Sequence, residues 1–520
     1  MLKLKSFDYK VYLCAFAHIL FSIYTDSIVF GQDNFYERTI YIILKSVFLV
    51  TVIFLWKFIF FLVHQLKEKN PEWIKKTKIF LIYFGSMMLF LCFVWPGIWV
   101  WDEFGVYHYS VSLNYFYWQH YLTSVYYIFA MMFFPFAGGI LIFQLILIGL
   151  IHTFIMYDLS LRTRHYKWLY ILFFLPPVLI NTLDPIRITM YAYILLFVLY
   201  YLYFRIIRKK EVTFKQILPV ILLSPFVIVW RAEGLIFFPF ILLLLLIGAW
   251  KKLSVIKQVS AVLLILVFTI SLNNPQKIWA THNKDYSLTA MLNPLSMLLQ
   301  YPNLNRMEEL KKDLSSYINL EILKQNPSAK ETPAFWAYRD QLIVSQDNKD
   351  FERFKKAYIQ LVLANPVEFL TVRKETFWLT SGMVNDEIRR WRTGAFDINN
   401  RKDYVVEVFV SKNKLNKTGN LKVRNSVVNI LEGSNPMNTE KTLWHYHITW
   451  NLFIMYGVLL GITVVAIFRK DIPFLILCGA LWCTSVGIFI TAPASYFMYY
   501  FPIYLVVYIL GIGYLIDRSK

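Results

Sequence analysis

Long oily runs alternate with short charged connections along this chain. Runs near the roughly 20 residues needed to cross a bilayer fall at about 11–30, 39–63, 79–100, 137–158, 168–182, 188–207, 216–230, 235–250, 256–272, 446–467, 473–490 and 497–516. The pattern predicts about twelve transmembrane helices. Several in the middle are short or hold proline, as in "FFLPPVLIN" and "LLSPFVIVW". A broken helix survives in lipid only where protein or a wet cavity covers the freed backbone groups. A pocket is therefore expected between the fifth and eighth runs.

The connections set the orientation. Lys67, Lys69, Lys75, Lys76 and Lys78 follow the second run, and Arg162, Arg164 and Lys167 follow the fourth. Arg205, Arg208, Lys209 and Lys210 follow the sixth, Lys251 and Lys252 the eighth, and Arg469 and Lys470 the tenth. Every second connection is basic, whereas 101–136 has neither lysine nor arginine. Basic loops stay in the cytoplasm. Both termini are thus expected on the cytoplasmic side of the cytoplasmic membrane, with 101–136 and the long stretch 273–442 outside.

That stretch is too polar to lie in lipid and too long for an idle loop. "NRMEELKKDLSSYINLEILKQ" and "DFERFKKAYIQLVLANPVEFLTVRKETFWL" carry apolar residues at helical spacing, and Asn365-Pro366 should break the second. "DYVVEVFVSKNK" reads as a strand and "LNKTGN" as a turn. The expected architecture is an all-α polytopic membrane protein with a mostly helical (α+β) extracytoplasmic domain. Residues 1–272 form a membrane domain of about nine helices, 273–442 the outer domain, and 443–520 a segment of three more helices.

Composition agrees. Of 520 residues 58% are hydrophobic and 18% aromatic, and the mean hydropathy is +0.48. The net charge of +20 would suggest a nucleic-acid partner in a soluble protein. Here cytoplasmic loops account for it, and no nucleic acid is expected. Cys14, Cys92, Cys478 and Cys483 all lie in apolar runs, so neither a disulfide framework nor a zinc spacing is present. His18 and Asp26 interrupt the first run, which reads as a retained helix rather than a signal peptide.

Against this background "WPGIWVWDEFGVYHYS" (95–110) stands out, because Asp102 and Glu103 sit side by side where an oily run ends. Only one crossing fits between Asp102 and Arg162, and 137–158 supplies it. Residues 103–135 should then lie along the outer surface as amphipathic helices, leaving Asp102, Glu103, His108 and His120 facing water or lipid headgroups.

"WPG…WDE", followed by an aromatic stretch with "QHYLTS", resembles the first outer loop of GT-C type integral-membrane glycosyltransferases. The likeness extends to "VIVWRAEGLIFFP", "FKKAYIQLVLANPVEFL" and "SYFMYYFPIY". Where such sequences often open the last span with an arginine, this chain has Met498. The resemblance implies an acidic catalytic residue in the first outer loop. It also implies transfer of a sugar from a polyprenyl-phosphate carrier to a cell-surface glycan, lipid or polymer acceptor.

The chemistry is consistent with that. Inverting glycosyl transfer needs a base that takes the proton of the attacking hydroxyl; Asp102 is the first candidate and Glu103 the second. Adjacent helical residues point about 100° apart, so the two will not face one pocket equally. The leaving phosphate needs cations. Arg231 and Glu233 in "WRAEG", and Asp184 and Arg187 in "LDPIRIT", lie at outer turns; ionisable groups so near a membrane tend to be functional and paired. Arg231 can bind phosphate in fork geometry, or it can pair with Glu233 and stabilise a hairpin. His120 can hold substrate or the acidic loop. Arg389, Arg390 and Arg392 with Trp391 form a basic–aromatic cluster that suits an anionic acceptor or lipid headgroups. Mg²⁺ or Mn²⁺ can join Asp102 through oxygen ligands, although nothing in the sequence requires it. Two rivals remain: a surface-polysaccharide polymerase, relying on outer-loop arginines, and a non-enzymatic lipid-linked-sugar flippase, expected to show internal repeats.

Overall fold

The computed structural model describes residues 8–31, 35–116, 118–279, 284–384, 414–416, 419–435 and 442–517. The helices run α1 (Asp8–Val29), α2 (Thr39–Lys67), α3 (Pro71–Phe93), α4 (Trp101–Val111), α5 (Leu122–Phe133), α6 (Ala137–Ser160), α7 (Leu169–Phe173), α8 (Pro176–Thr182) and α9 (Arg187–Tyr200), the last continuing as π-helix to Ile207. Next come α10 (Phe214–Val229), α11 (Gly234–Ala249) and α12 (Val255–Trp279). The polar region supplies α13 (Lys284–Leu298), α14 (Met307–Leu314), α15 (Leu320–Gln325), α16 (Pro333–Leu342), α17 (Asn348–Ala364), α18 (Pro366–Thr380) and α19 (Leu421–Glu432). The chain closes with α20 (Leu452–Phe468), α21 (Ile472–Thr491), α22 (Phe501–Val506) and α23 (Ile512–Ile516).

Eight helices among the described residues are long and apolar enough to cross a membrane: α1, α2, α3, α6, α9 with its π-helical extension, α12, α20 with the turn before it, and α21. Three further expected spans, at 214–229, 234–249 and 501–516, are shorter apolar helices. The run at 168–182 is not one span. It divides into α7 and α8 at Pro176 and Pro177, which open α8 and, lacking amide hydrogens, make no bond back to the α7 carbonyls. Among the described residues there is no strand, only isolated bridges joining Ile318 to Ile343 and Ser434 to Thr442. The strand expected in "DYVVEVFVSKNK", like the Arg389–Arg392 cluster, lies outside the described residues.

Local chemistry starts the helices where the sequence changes character. Asn70 accepts from the Glu72 N–H at 3.1 Å with Pro71 in the first turn of α3. Thr213 and Gln216 form a capping box on α10, and Asn451 and Asp471 cap α20 and α21. These caps satisfy amides that no intrahelical carbonyl reaches.

Burial sorts the spans. α2 and α12 are only 11% and 17% buried over their apolar windows, whereas the α9 span is 72% buried. α9 therefore sits at the centre, packed on α6, α10 and α22, and α2 and α12 present oily faces outward, as lipid contact requires. Two of the charges inside apolar runs, Lys45 on α2 and Asp26 on α1, pair with each other, and the Tyr41 hydroxyl also donates to Asp26 at 2.8 Å. This buried ion pair ties the first two helices together.

The basic connections meet at one end of the bundle. Asp158 holds Arg162 at 2.9 Å and Arg205 at 3.1 Å. Arg208 holds Asp517 at 2.8 Å, and Lys252 donates to the Ile206 and Ile207 carbonyls at 2.9 Å. The opposite end carries the α3–α6 connection and the polar region. Trp118 is embedded among Leu288, Leu292, Leu295 and Phe335 of that region. The Arg373 side chain on α18 donates to the Phe489 and Ala492 carbonyls, at 2.7 and 2.9 Å, where α21 ends. The fold is thus an all-α, multi-pass membrane architecture with its polar region on one end.

Candidate functional site

The "WPG" turn positions the acidic pair. α3 ends at Phe93, and Gly97 adopts φ +120°. A Cβ there would lie 1.8 Å from Leu141 Cδ1 and 3.2 Å from the Leu183 carbonyl oxygen, so only glycine fits. The close approach lets the Ile98 N–H donate to the Leu183 carbonyl at 2.9 Å, and Arg424 donates to the Gly97 carbonyl at 2.8 Å. The chain is thereby pinned to the turn between α8 and α9. α4 starts three residues later with Asp102 and Glu103 in its first turn.

The partner turn is equally constrained. Gln144 on α6 donates through Nε2 to the Thr182 and Asp184 carbonyls at 3.0 and 2.9 Å. Asp184 Oδ1 accepts from the Ile186 N–H at 3.0 Å. The Tyr127 hydroxyl donates to the Pro185 carbonyl at 3.1 Å. α9 begins at Arg187 immediately after. Arg187 faces Asp102, Glu103, His120 and Glu233 electrostatically, and Asp184 faces Glu103.

Six candidates from four stretches of sequence therefore share one electrostatic neighbourhood. Asp102, Glu103, His120, Asp184, Arg187 and Glu233 are linked directly, and Arg231 joins through Glu233. Arg389 lies outside the described residues.

Exposure differs from the expectation of a wet helix end. Glu103 is 0% and His120 8% exposed, and only Asp102 and His108 are half-buried. Residues 103–135 do not lie flat on a surface either. α5 buries Tyr127, Ile128, Met131 and Met132 against α1, α2 and α6. The physical reason is the cover above: Trp118 plugs into the polar region, and the Tyr121 N–H donates to Gln276 Oε1 at 2.8 Å.

Neither carboxylate oxygen of Glu103 has a hydrogen-bond partner. Burial pushes this carboxyl well above the ordinary range, and the Asp184 and Asp102 charges add to the rise. Burial also raises Asp102, but the Arg187 guanidinium and a hydrogen bond from Gln119 oppose it. The pair is split as its helical geometry requires: Asp102 is half-buried and hydrogen-bonded by Gln119, whereas Glu103 is fully buried with no side-chain hydrogen-bond partner. Burial, reinforced by Arg187, lowers His120 to about 3, so its imidazole stays neutral at physiological pH.

Arg231 and Glu233 pair in a fork, Nε to Oε2 at 3.1 Å and Nη2 to Oε1 at 2.7 Å. Burial disfavours the Glu233 carboxylate, but Arg231 outweighs it and holds the group low. The hairpin is tight: a Cβ on Gly234 would stand 1.9 Å from the Val227 carbonyl oxygen. The Arg231 guanidinium also lies 5.9 Å from the Tyr499 ring centre. Its fork is engaged by Glu233, which leaves half-buried Arg187 the better placed cation beside Asp102.

Three polar groups that hold this region together were not singled out in the sequence. Gln119, in "WQHY", bonds Asp102. Gln144 is the lone amide of "IFQLILIGL", and its isolation in an apolar helix was a readable signal. Asn416 is a third positioning group: its Oδ1 accepts from the Ala137 N–H at 2.8 Å and its Nδ2 donates to the Tyr107 hydroxyl at 3.1 Å.

Among the described residues no group of three or more His, Cys, Asp or Glu side chains is arranged to hold a metal ion. Comparison with family models, curated proteins and solved structures returns no match. Fold and composition define a multi-pass α-helical membrane protein.

Proposed function

We propose that this protein is an integral-membrane glycosyltransferase that moves a sugar from a polyprenyl-phosphate carrier to a cell-surface glycan, lipid or polymer. The observation that carries the reading is the convergence of Asp102, Glu103, Asp184 and Arg187 beneath the polar region, at the end of the bundle opposite the basic loops. By the distribution of basic loops, that end faces outward.

Asp102 is the base. One of its carboxylate oxygens accepts the proton of the acceptor hydroxyl as the hydroxyl oxygen attacks the anomeric carbon. The bond from that carbon to the carrier phosphate breaks, and the phosphate leaves with the electron pair. Configuration inverts. Gln119 orients the carboxylate, and Arg187 stabilises the charge on the leaving phosphate. Glu103 remains protonated, which reduces the repulsion among the carboxyl groups and keeps Asp102 as the ionised member.

The test is turnover of a radiolabelled polyprenyl-phosphate hexose by the purified protein in nanodiscs with a membrane or cell-wall acceptor fraction. Asp102→Asn should reduce turnover by about 100-fold or more while the protein remains folded. A variant that keeps wild-type turnover removes Asp102 as base. Full activity in that variant would favour the polymerase reading, and movement of the carrier-linked sugar without cleavage would favour a flippase.

A further inference from the structure

The loop that links α4 to α5 carries Trp118 directly before Gln119 and His120. The Trp118 ring is 9% exposed and packs 6.0 Å from Phe335 and 5.4 Å from Trp336, the latter at an interplanar angle of 57°. Both partners sit on α16. Phe335 is buried, but Trp336 is 59% exposed. α16 bends at Tyr338, which leaves helical geometry at φ −132° and ψ 28° and is 43% exposed. Arg339 and Asp340 beside it are exposed, and the Arg339 guanidinium lies 5.2 Å from the Phe335 ring centre.

A largely exposed indole is therefore held against a second, buried indole, and an exposed arginine and aspartate follow it by three and four residues on the same helix. Such a surface matches a pyranose ring. Its apolar C–H face stacks on an aromatic plane, and its rim hydroxyls need both donors and acceptors, which Arg339 and Asp340 supply. Position selects the same occupant. Trp118 is rooted in the core of the polar region with Leu288 and Leu292, and the next residue, Gln119, bonds Asp102. A sugar lying on Trp336 would therefore rest two contacts, Trp118 and Gln119, from the Asp102 carboxylate.

We propose that Trp336, backed by the buried Trp118 and accompanied by Arg339 and Asp340, forms a stacking subsite for the acceptor glycan on the approach to the Asp102 site. The proposal rests on the glycosyltransferase reading for the meaning of "acceptor", but binding is measurable without turnover.

The test uses the full chain in nanodiscs with its 16 tryptophans replaced by 5-fluorotryptophan. Trp118→Phe and Trp336→Phe assign the two fluorine signals. The probes are soluble hexasaccharides: β-1,4-glucan, α-1,4-glucan and β-1,4-linked N-acetylglucosamine. At least one should shift both signals saturably. Trp336→Ala should weaken that affinity about five- to tenfold, and Trp336→Phe should retain most of it. If none of the probes moves either signal, or if spin-labelled lipid in the nanodisc quenches the Trp336 signal, the subsite is refuted; the second result makes Trp336 a membrane anchor. If Asp102→Asn retains turnover while saturable binding persists, the assignment of the base fails and the subsite stands.

Discussion

Replacing Glu103 by glutamine isolates the consequence of burying an acid with no partner. In an unfolded chain a glutamate titrates near ~4.3. In the folded protein, burial and the neighbouring Asp184 and Asp102 hold the proton on to a higher pH. Below ~4.3 both states are protonated, and the site's contribution is at its most favourable. Between the two pKa values the folded state binds one proton more than the unfolded state. Wild-type stability then falls as pH rises, by about 1.4 kcal/mol per pH unit, and levels off above the folded pKa. Glutamine does not titrate, so Glu103→Gln lacks this slope. It carries a constant cost instead, since its amide hydrogens also lack partners, of about 1–3 kcal/mol. The measurement is thermal unfolding in detergent, followed by tryptophan fluorescence at pH 5, 6, 7 and 8. The midpoint of Glu103→Gln minus that of wild type should rise with pH above the unfolded value and level off once the folded pKa is passed. A difference independent of pH, or one that falls with pH, would mean that Glu103 is ionised in the folded state, and the assignment of protonation at the site would collapse.

The same structure makes other demands. Glu233→Gln takes the fork-paired carboxylate away from Arg231, whose side chain is 2% exposed. A loss of about 3 kcal/mol is expected, readable as a lower midpoint, and the double variant Arg231→Met/Glu233→Gln should recover much of it. Gln144→Leu removes the donor shared by the Thr182 and Asp184 carbonyls. It should cost about 2 kcal/mol and lower turnover more than Leu141→Ala, a neighbouring core truncation that spares those bonds. His120 is neutral from pH 5 to 8 because its pKa is lowered to about 3; His120→Gln should therefore leave the shape of the pH–rate profile unchanged, and a displaced acidic limb would contradict this. In a cysteine-free background, Tyr301→Cys should react with an impermeant maleimide on intact spheroplasts and Lys69→Cys only after lysis. The reverse result would put the Asp102 end in the cytoplasm and end the functional proposal.

Much of this molecule could be read along the chain. Oily runs and basic connections are one-dimensional signals, and the loops grouped by charge do meet at one end, around Asp158, Arg205 and Arg208. The oddity of Asp102 and Glu103 was also legible, because two carboxyls at the end of an apolar run are costly unless they are paired or used. Span count was less legible, since hydropathy does not register how Pro176 and Pro177 divide a run into α7 and α8.

Only the tertiary structure decided which member of the pair is buried. Adjacent residues on α4 diverge, and the α8–α9 turn, held by Gln144 and by the Ile98–Leu183 hydrogen bond, covers one side of the helix and not the other. It also decided that Arg231 turns to Glu233 and that Arg187 faces the acidic pair. Composition and charge order act along the chain and need no partner to be recognised. Desolvation and pairing depend on what packs over a group, and for Glu103 those neighbours come from residues about eighty positions away.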